Sequence, residues 1–158
     1  MQGDGGGLNV YVHGRLNRQL LKLLCDTGAS CSCLSLKYFN THLRHNAKLL
    51  PNDKKQLYVS ANNTLLNIVG TANISLLLGN KLTSTKFLVI KDLSQDAILG
   101  TEFLSSAGAV IDFNCENISL FRGTVVLPLV TNIDNTRVIR TMKRVRIRAH
   151  CEALIPVK

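Results

Sequence analysis

An apolar run that ends in a carboxylate constrains this chain more than any other sequence feature. Residues 20–25 read Leu-Leu-Lys-Leu-Leu-Cys, which is typical of a short buried strand, and Asp26-Thr27-Gly28-Ala29-Ser30 follows at once. A charge in such a place is costly unless a turn presents it to water or to a partner. Gly28 allows close backbone approach, and Thr27 can donate a hydrogen bond from a stiff side chain. An ordinary Asx turn can have the same Asp-Thr-Gly sequence, so the rest of the chain must decide between a structural turn and a functional site.

The remaining sequence consists of short apolar segments separated by frequent turn signals. Aliphatic and β-branched residues dominate, while aromatic residues make up 5% of the chain and tryptophan is absent. The pattern predicts an all-β barrel or sandwich with little helix. We expect a turn over 14–18, a helical turn within 37–43, a hairpin turn at Gly79-Asn80 and a brief helix capped by Thr101. The expected strands cover 8–13, 20–25, 31–36, two halves of 57–69, 74–78, 87–90, 97–100, 109–113 and 118–121.

Composition argues against several other classes of protein. No apolar run is long enough to span a membrane, and residues 1–7 lack the layout of a signal peptide, so we expect an intracellular protein without a membrane partner. The five cysteines include no CxxC pair, and we interpret them as free thiols in a reducing compartment. We expect neither a metal nor an organic cofactor.

A second group of motifs places the Asp-Thr-Gly triplet in a recognisable context. About 70 residues downstream comes Ala97-Ile98-Leu99-Gly100-Thr101-Glu102-Phe103-Leu104, followed by Gly108-Ala109-Val110-Ile111-Asp112-Phe113. Between the two lie Val59-Ser60-Ala61-Asn62-Asn63-Thr64 and Ile68-Val69-Gly70. Together, and in this order over residues 8–121, these segments resemble the retropepsin-like aspartic proteases of retroviruses and LTR retrotransposons, especially the gypsy-like group.

The resemblance implies a fold and a role for particular residues. The fold would be a retropepsin-like closed β-barrel with a flap hairpin and one short C-terminal helix, and it would be homodimeric. Asp26 would be catalytic, Thr27 would bond across the two-fold axis, and Gly28 would present backbone to substrate. Ala29 and Ser30 would support the loop, which would be buttressed from behind by Ile98, Leu99 and Gly100. The flap tip would lie at Ala61, Asn62 and Asn63, where Asn-Asn departs from the glycine-rich flaps of many retroviral enzymes.

The homodimer also follows from the chemistry that the resemblance implies. Hydrolysis of a peptide by carboxyl groups requires one ionised group as base and one protonated group as acid. In aspartic proteases two carboxyls about 3 Å apart share one proton to fill these roles. The chain has one Asp-Thr-Gly and is too short for two lobes, so the second Asp26 must come from another copy. Asp112, which also lies in an apolar setting, is interpreted as structural.

The C-terminal segment carries most of the net charge of +9. Residues 122–158 contain 8 Lys/Arg and 2 Asp/Glu, against 11 and 8 in residues 1–121. Lys143, Arg144, Arg146 and Arg148 could contact nucleic-acid phosphates, although the segment has no aromatic residue for base stacking. We favour a strand-like basic linker that leads, by resemblance, toward a reverse transcriptase outside this chain. The expected organisation is a flexible lead-in over 1–7, a protease domain over 8–121 and this linker.

The sequence leads to one main hypothesis and keeps three rivals. The chain is expected to be an aspartic endopeptidase that cleaves polypeptide sites in its own Gag-Pol precursor, in the cytoplasm or inside virus-like particles. The first rival is a domesticated host protein of the same fold with a cellular substrate. The second is a non-catalytic dimerisation or peptide-binding module, against which the intact Asp26-Thr27-Gly28 argues. The third is a nucleic-acid-binding protein whose affinity resides in the basic tail.

Overall fold

The structure, a computed structural model, describes residues 8–52, 58–60 and 63–131. Ten strands and a few short helical segments make up this part of the chain. The helical segments are α1 (Leu36–Tyr38), a π-helical turn (Phe39–Leu43) and α2 (Thr101–Ser106). The strands are β1 (Val10–Leu16), β2 (Gln19–Cys25), β3 (Cys33–Ser35), β4 (Ile68–Leu78), β5 (Lys81–Ile90), β6 (Ala97–Leu99), β7 (Val110–Asp112), β8 (Asn117–Leu120), β9 (Val125–Pro128) and β10 (Val130–Thr131).

Six of the strands form a closed barrel. Their order is β1-β2-β6-β3-β5-β4, and a further pairing of β1 with β4 closes the ring. The long β4–β5 hairpin turns at Gly79-Asn80, as the sequence predicted. Closure leaves these strands with few free edges, which suits a small all-β chain. The predicted all-β closed barrel is therefore confirmed.

The barrel interior is filled almost entirely by aliphatic side chains. Burying each of them stabilises the fold by about 1.5–3 kcal/mol. Phe87 is the one aromatic residue among the fully buried side chains of the described residues. The others in the barrel interior include Leu16, Leu23, Leu34, Leu43, Ile74, Leu76, Leu78 and Leu99. A second, smaller cluster on the other side of β6 contains Tyr11, Leu24, Cys33, Leu88, Ile90 and Ile98, and Ala29 and Tyr58 pack against it.

The first hairpin differs from the sequence expectation. The turn predicted over 14–18 is shorter, because β1 continues to Leu16 and the chain reverses at Asn17 and Arg18, which both have positive φ. Gly14 is a strand residue. A Cβ there would lie 2.7 Å from Leu23 Cδ1 and 2.9 Å from Leu78 Cδ2, so glycine is needed for packing inside the barrel.

The packed fold continues beyond residue 121. Strands β7, β8 and β9 form a three-stranded antiparallel sheet, in which Ile118 pairs with Leu127. β10 then joins the barrel sheet by pairing with β1. The fold therefore extends to Thr131, past the boundary expected from the sequence. Lys143, Arg144, Arg146 and Arg148 lie outside the described residues, as does the lead-in over 1–7. None of the helices in the described part of the chain has the length and apolar character of a membrane span.

Candidate active site

Asp26 lies at the mouth of the barrel, directly after the last residue of β2. β2 runs parallel to β6, with Leu24 opposite Ile98 and Cys25 opposite Leu99. The Asp26 amide extends this pairing by donating to the Leu99 carbonyl over 3.0 Å. The side chain is partly buried. A carboxylate at the end of a strand held on both flanks has a defined position, and β1 and β6 form these two flanks.

The loop after Asp26 folds back on the carboxylate. The Gly28 amide donates to Asp26 Oδ1 over 2.8 Å, and the Ala29 amide donates to the Asp26 carbonyl over 3.3 Å. A Cβ at Gly28 would lie 3.1 Å from the same Oδ1, tighter than ordinary contact. Glycine at this position therefore lets the backbone approach and orient the carboxylate. The side chains of Thr27 and Ser30 are exposed beside it, where a second molecule can reach them.

Thr101 ties the far side of this loop to α2. Its hydroxyl is 3.0 Å from the Thr27 carbonyl and 3.0 Å from the Ala29 carbonyl, and its amide donates to Ala29 over 2.7 Å. The expectation that Thr101 caps the helix was wrong. Gly100 is the N-cap, and Thr101 is the first helical residue, whose side chain points to the loop instead. These bonds fix two of the loop's carbonyls.

Gly100 and Ser32 form a second connection behind the loop. A Cβ at Gly100 would lie 2.4 Å from the carbonyl carbon of Cys31 and 2.9 Å from the Ala29 carbonyl oxygen, so any side chain would push the loop away. The Gly100 amide donates over 3.2 Å to Ser32 Oγ, and Ser32 is only 3% exposed. Sequence reasoning missed Ser32 and the loop contact of Thr101, because both act across about 70 residues.

A hairpin over residues 58–66 stands where the sequence placed the flap. The Ser60 amide donates to Thr64 over 2.9 Å, and the Leu66 amide donates to Tyr58 over 2.9 Å. Asn63 has φ of 58°, the left-handed backbone that asparagine tolerates at a turn. Ala61 and Asn62 lie outside the described residues. Asn63 is thus the one residue of the predicted tip that the described part of the chain contains.

A groove of about 450 Å³ lies between Cys31, which follows the Asp26 loop, and Tyr58 of this hairpin. Cys31 and Glu102 line the loop side, Tyr58 lines the hairpin side, and Leu88 and Thr71 lie between them. Burial, followed by the nearby Cys31 thiol, raises the pKa of Tyr58. The groove has apolar and polar walls, and Leu50, Pro51 and Asn52 also line it.

The cysteines of the described residues differ in how deeply they are buried. Cys25, Cys31, Cys33 and Cys115 are free. Burial raises the pKa of Cys25 to about 11 and that of Cys33 to about 12. No cluster of three potential metal ligands occurs within the described ranges.

Asp112 closes the β7–β8 turn. Its Oδ1 accepts the amides of Asn114 over 2.8 Å and Cys115 over 3.0 Å, and the hydrogen bonds from Cys115 are the main cause that lowers the pKa of Asp112. This is the structural role expected for Asp112.

Comparison with solved structures identifies the fold. The chain is similar to the retroviral protease-like domain of Ddi1 from Leishmania major, with a TM-score of 0.62 and 20% identity over 80% of this chain and 98% of that domain. It is also similar to an EIAV protease in complex with an inhibitor, with a TM-score of 0.51 and 20% identity over 65% of this chain and 91% of that one. No family model and no curated protein matches the sequence.

The chain thus has the fold of retroviral protease-like domains. The matched region covers most of the length of both neighbours, so the likeness extends over a whole domain and not over a single motif. At 20% identity the likeness establishes the fold, and the chemistry must be argued from this chain's own residues.

Proposed function

We propose that this chain is an aspartic endopeptidase that works as a homodimer and uses Asp26 from each subunit. The observation that carries the proposal is the geometry of Asp26. Its carboxylate lies partly buried at the mouth of the barrel, oriented by the Gly28 amide at 2.8 Å and backed by β6 and α2. A loop held by this many long-range contacts can present one oxygen in a fixed direction, as general acid–base catalysis requires.

The proposed reaction needs two such carboxyls. One copy of the loop brings one aspartate, because no other described carboxylate shares its surroundings and Asp112 is engaged in its own turn. In the dimer the two Asp26 side chains would share one proton, so that one activates water while the other polarises the scissile carbonyl. The proton affinities would belong to the pair. Thr27, exposed beside Asp26, would face its counterpart across the axis.

The proposed substrate is an extended polypeptide. The groove beside the loop would hold side chains of the peptide, and the 58–66 hairpin would cover it. The proposed biological target is the chain's own Gag-Pol precursor, cleaved in the cytoplasm or in virus-like particles and without a cofactor. The gypsy-like origin and the linker to a reverse transcriptase belong to the same proposal and rest on the sequence motifs.

One alternative is favoured by a specific observation. The Ddi1 domain, which the chain resembles over 98% of that domain's length, shows that this fold also occurs outside viral proteases. The chain would then be a domesticated protein with a dedicated cellular substrate, or a dimerisation module without activity. The oriented Asp26 carboxylate favours the protease over the inactive module.

The test compares two matched aspartate variants. Asp26→Asn keeps the shape of the loop but removes the proton-transfer group, so peptide-library cleavage should fall by at least about 10²–10⁴-fold. Asp112→Asn is the control, because its Oδ1 also accepts an amide two residues on, at 2.8 Å, as Asp26 does. That variant should retain cleavage. Equal cleavage by Asp26→Asn and wild type would reject the proposal, whereas no cleavage by a folded wild-type dimer would favour the inactive module.

A further inference from the structure

The charges of the folded domain are strongly segregated along the chain. Residues 8–91 contain 11 Lys/Arg and 2 Asp/Glu, namely Asp26 and Asp53. Residues 92–121 contain 5 Asp/Glu and no Lys/Arg. β1, β2 and the segment between β3 and β4 therefore carry almost uncompensated positive charge. A field of one sign favours association with a partner of the opposite sign.

Two basic segments from this part of the chain meet at one end of the barrel. Asn17, in the β1–β2 turn, donates from Nδ2 to the Asn46 carbonyl over 3.4 Å. The contact joins the turn that contains Arg18 to the segment that contains Arg44 and Lys48. Arg15 joins them, since its guanidinium donates to the Arg18 carbonyl over 3.1 Å. We call Arg15, Arg18, Arg44 and Lys48 the basic face, and all four side chains are exposed.

The backbone beneath the basic face is well fixed. Asn17 exchanges two hydrogen bonds with Ser75 of β4, its amide donating over 2.9 Å and its Oδ1 accepting over 3.1 Å. The second segment is held by the Arg44 amide, which donates to Phe39, and by the Ala47 amide, which donates to Leu43. Charged residues on an anchored backbone lose less conformational freedom when they bind a ligand than charged residues on a flexible chain.

The arginine of the β1–β2 turn is remote from Asp26. β2 runs from the Asn17-Arg18 turn to Asp26, and its seven residues at about 3.3 Å each separate the two by roughly 20 Å. Lys48 is nearer to the groove, since Leu50, two residues further on, lines it. The arginines at the turn can therefore bind a ligand at a distance from the Asp26 carboxylate.

We propose that the basic face binds the phosphate backbone of nucleic acid without regard to sequence. Three of its four members are arginines, whose planar forks match phosphate oxygens. The tyrosine and phenylalanine residues of the contributing segments, Tyr11, Tyr38 and Phe39, are buried, so neither stacking of bases on these rings nor an aromatic membrane anchor is available. Contacts would be made to phosphates alone. The proposal does not depend on proteolytic activity.

The experiment measures fluorescence anisotropy of a labelled mixed-sequence DNA duplex with the full chain, over about 50–200 mM salt. We expect R18Q/R44Q to weaken binding by roughly one to two orders of magnitude at the lowest salt. The slope of log affinity against log salt should fall by about 2. A second sequence should bind equally well. Thermal unfolding of each variant shows that the fold is retained.

Two control variants locate the binding. K91Q/R122Q removes the same charge elsewhere, and Arg122 has left-handed backbone (φ 57°) as Arg18 does (φ 76°), so the backbone setting is matched. R144Q/R146Q removes two charges from the basic tail. Equal losses in all three variants would indicate general attraction and would overturn the proposal, as would a loss confined to the tail variant. An effect of R18Q/R44Q on phosphatidylserine vesicles but not on DNA would assign the face to a membrane instead.

Discussion

The Asp26 loop and the 58–66 hairpin, which meet the groove through the adjoining Cys31 and through Tyr58, are held in different ways. The loop is joined to α2 by three hydrogen bonds from Thr101, and to β6 by the Asp26 amide, which donates to the Leu99 carbonyl. Among the described hairpin residues, backbone hydrogen bonds link Ser60 with Thr64 and Tyr58 with Leu66, and Tyr58 also contacts Cys31 and packs against the second apolar cluster. The loop is thus bonded to two elements of the barrel, whereas the hairpin is held at its base. We expect the turn of the hairpin to open at lower cost than the loop.

The largest effect should come from Gly100→Ala, which disturbs the packing of this residue against the Asp26 loop. The new Cβ would meet the Cys31 carbonyl group at 2.4 Å, and backbone cannot yield as a side-chain tip does. We expect a loss of about 1–3 kcal/mol in the free energy of unfolding, measured by urea titration, together with loss of cleavage.

Gly108→Ala is the control for that variant. Nothing lies within 4 Å of a Cβ at this position, although its φ is +56°. It should cost about 1–2 kcal/mol through backbone strain and leave cleavage intact. If both variants destabilise alike and both retain cleavage, the close packing of Gly100 against the loop does not matter for the site.

A smaller effect is expected from Thr101→Val, which removes one hydroxyl and leaves the shape of the side chain. The Thr27 and Ala29 carbonyls would lose that donor, at about 1 kcal/mol of stability. We expect kcat to fall with little change in KM, and faster exchange of the Gly28 and Ala29 amides. Thr101→Ser should restore both.

Thr41→Val serves as the matched control, because the Thr41 hydroxyl donates over 2.8 Å to the Lys37 carbonyl, away from the loop. It should lower stability without altering kcat or the exchange of loop amides. Unchanged loop exchange in Thr101→Val would show that Thr101 does not position the loop.

The Asn63→Val variant tests whether the turn of the 58–66 hairpin can change without affecting the rest of the fold. A β-branched residue fits poorly at φ of 58°, so the turn should be strained by about 1–2 kcal/mol. Because Asn63 lies in the turn, away from Tyr58, through which the hairpin packs against the barrel, we expect KM to rise while the global unfolding free energy and the amide exchange of the loop stay near wild type. Asn63→Gly, which accepts this backbone, should behave as wild type. A large global destabilisation by Asn63→Val would show that the turn is not independent of the rest of the fold.

The smallest effect concerns the thiols near the site. Since burial raises the pKa of Cys25 to about 11 and of Cys33 to about 12, both should stay unalkylated at pH 8 in the folded chain. Cys31, which lines the groove, should be labelled with iodoacetamide, and bound peptide should slow that labelling. Mass spectrometry reads out both results. Protection of Cys31 without peptide would show that the groove is closed.

The sequence predicted the elements of the site better than the contacts that join them. The apolar run before Asp26, the short β6 and the brief helix after it were all visible as local patterns. Gly14 was misread because its role is to make room for Leu23 and Leu78, which lie elsewhere in the chain. Thr101 and Ser32 were missed for the same reason. β10 was not seen as part of the fold because its pairing with β1 joins opposite ends of the domain.

The most direct test of the central claim mixes active and inactive subunits. Wild type and Asp26→Asn are combined at a constant total concentration, equilibrated and assayed for cleavage. If both copies of Asp26 form one site, activity follows the square of the wild-type fraction, so an equal mixture retains about one quarter. Activity that follows the fraction itself, with about one half remaining, would mean that each chain acts alone and would contradict the account.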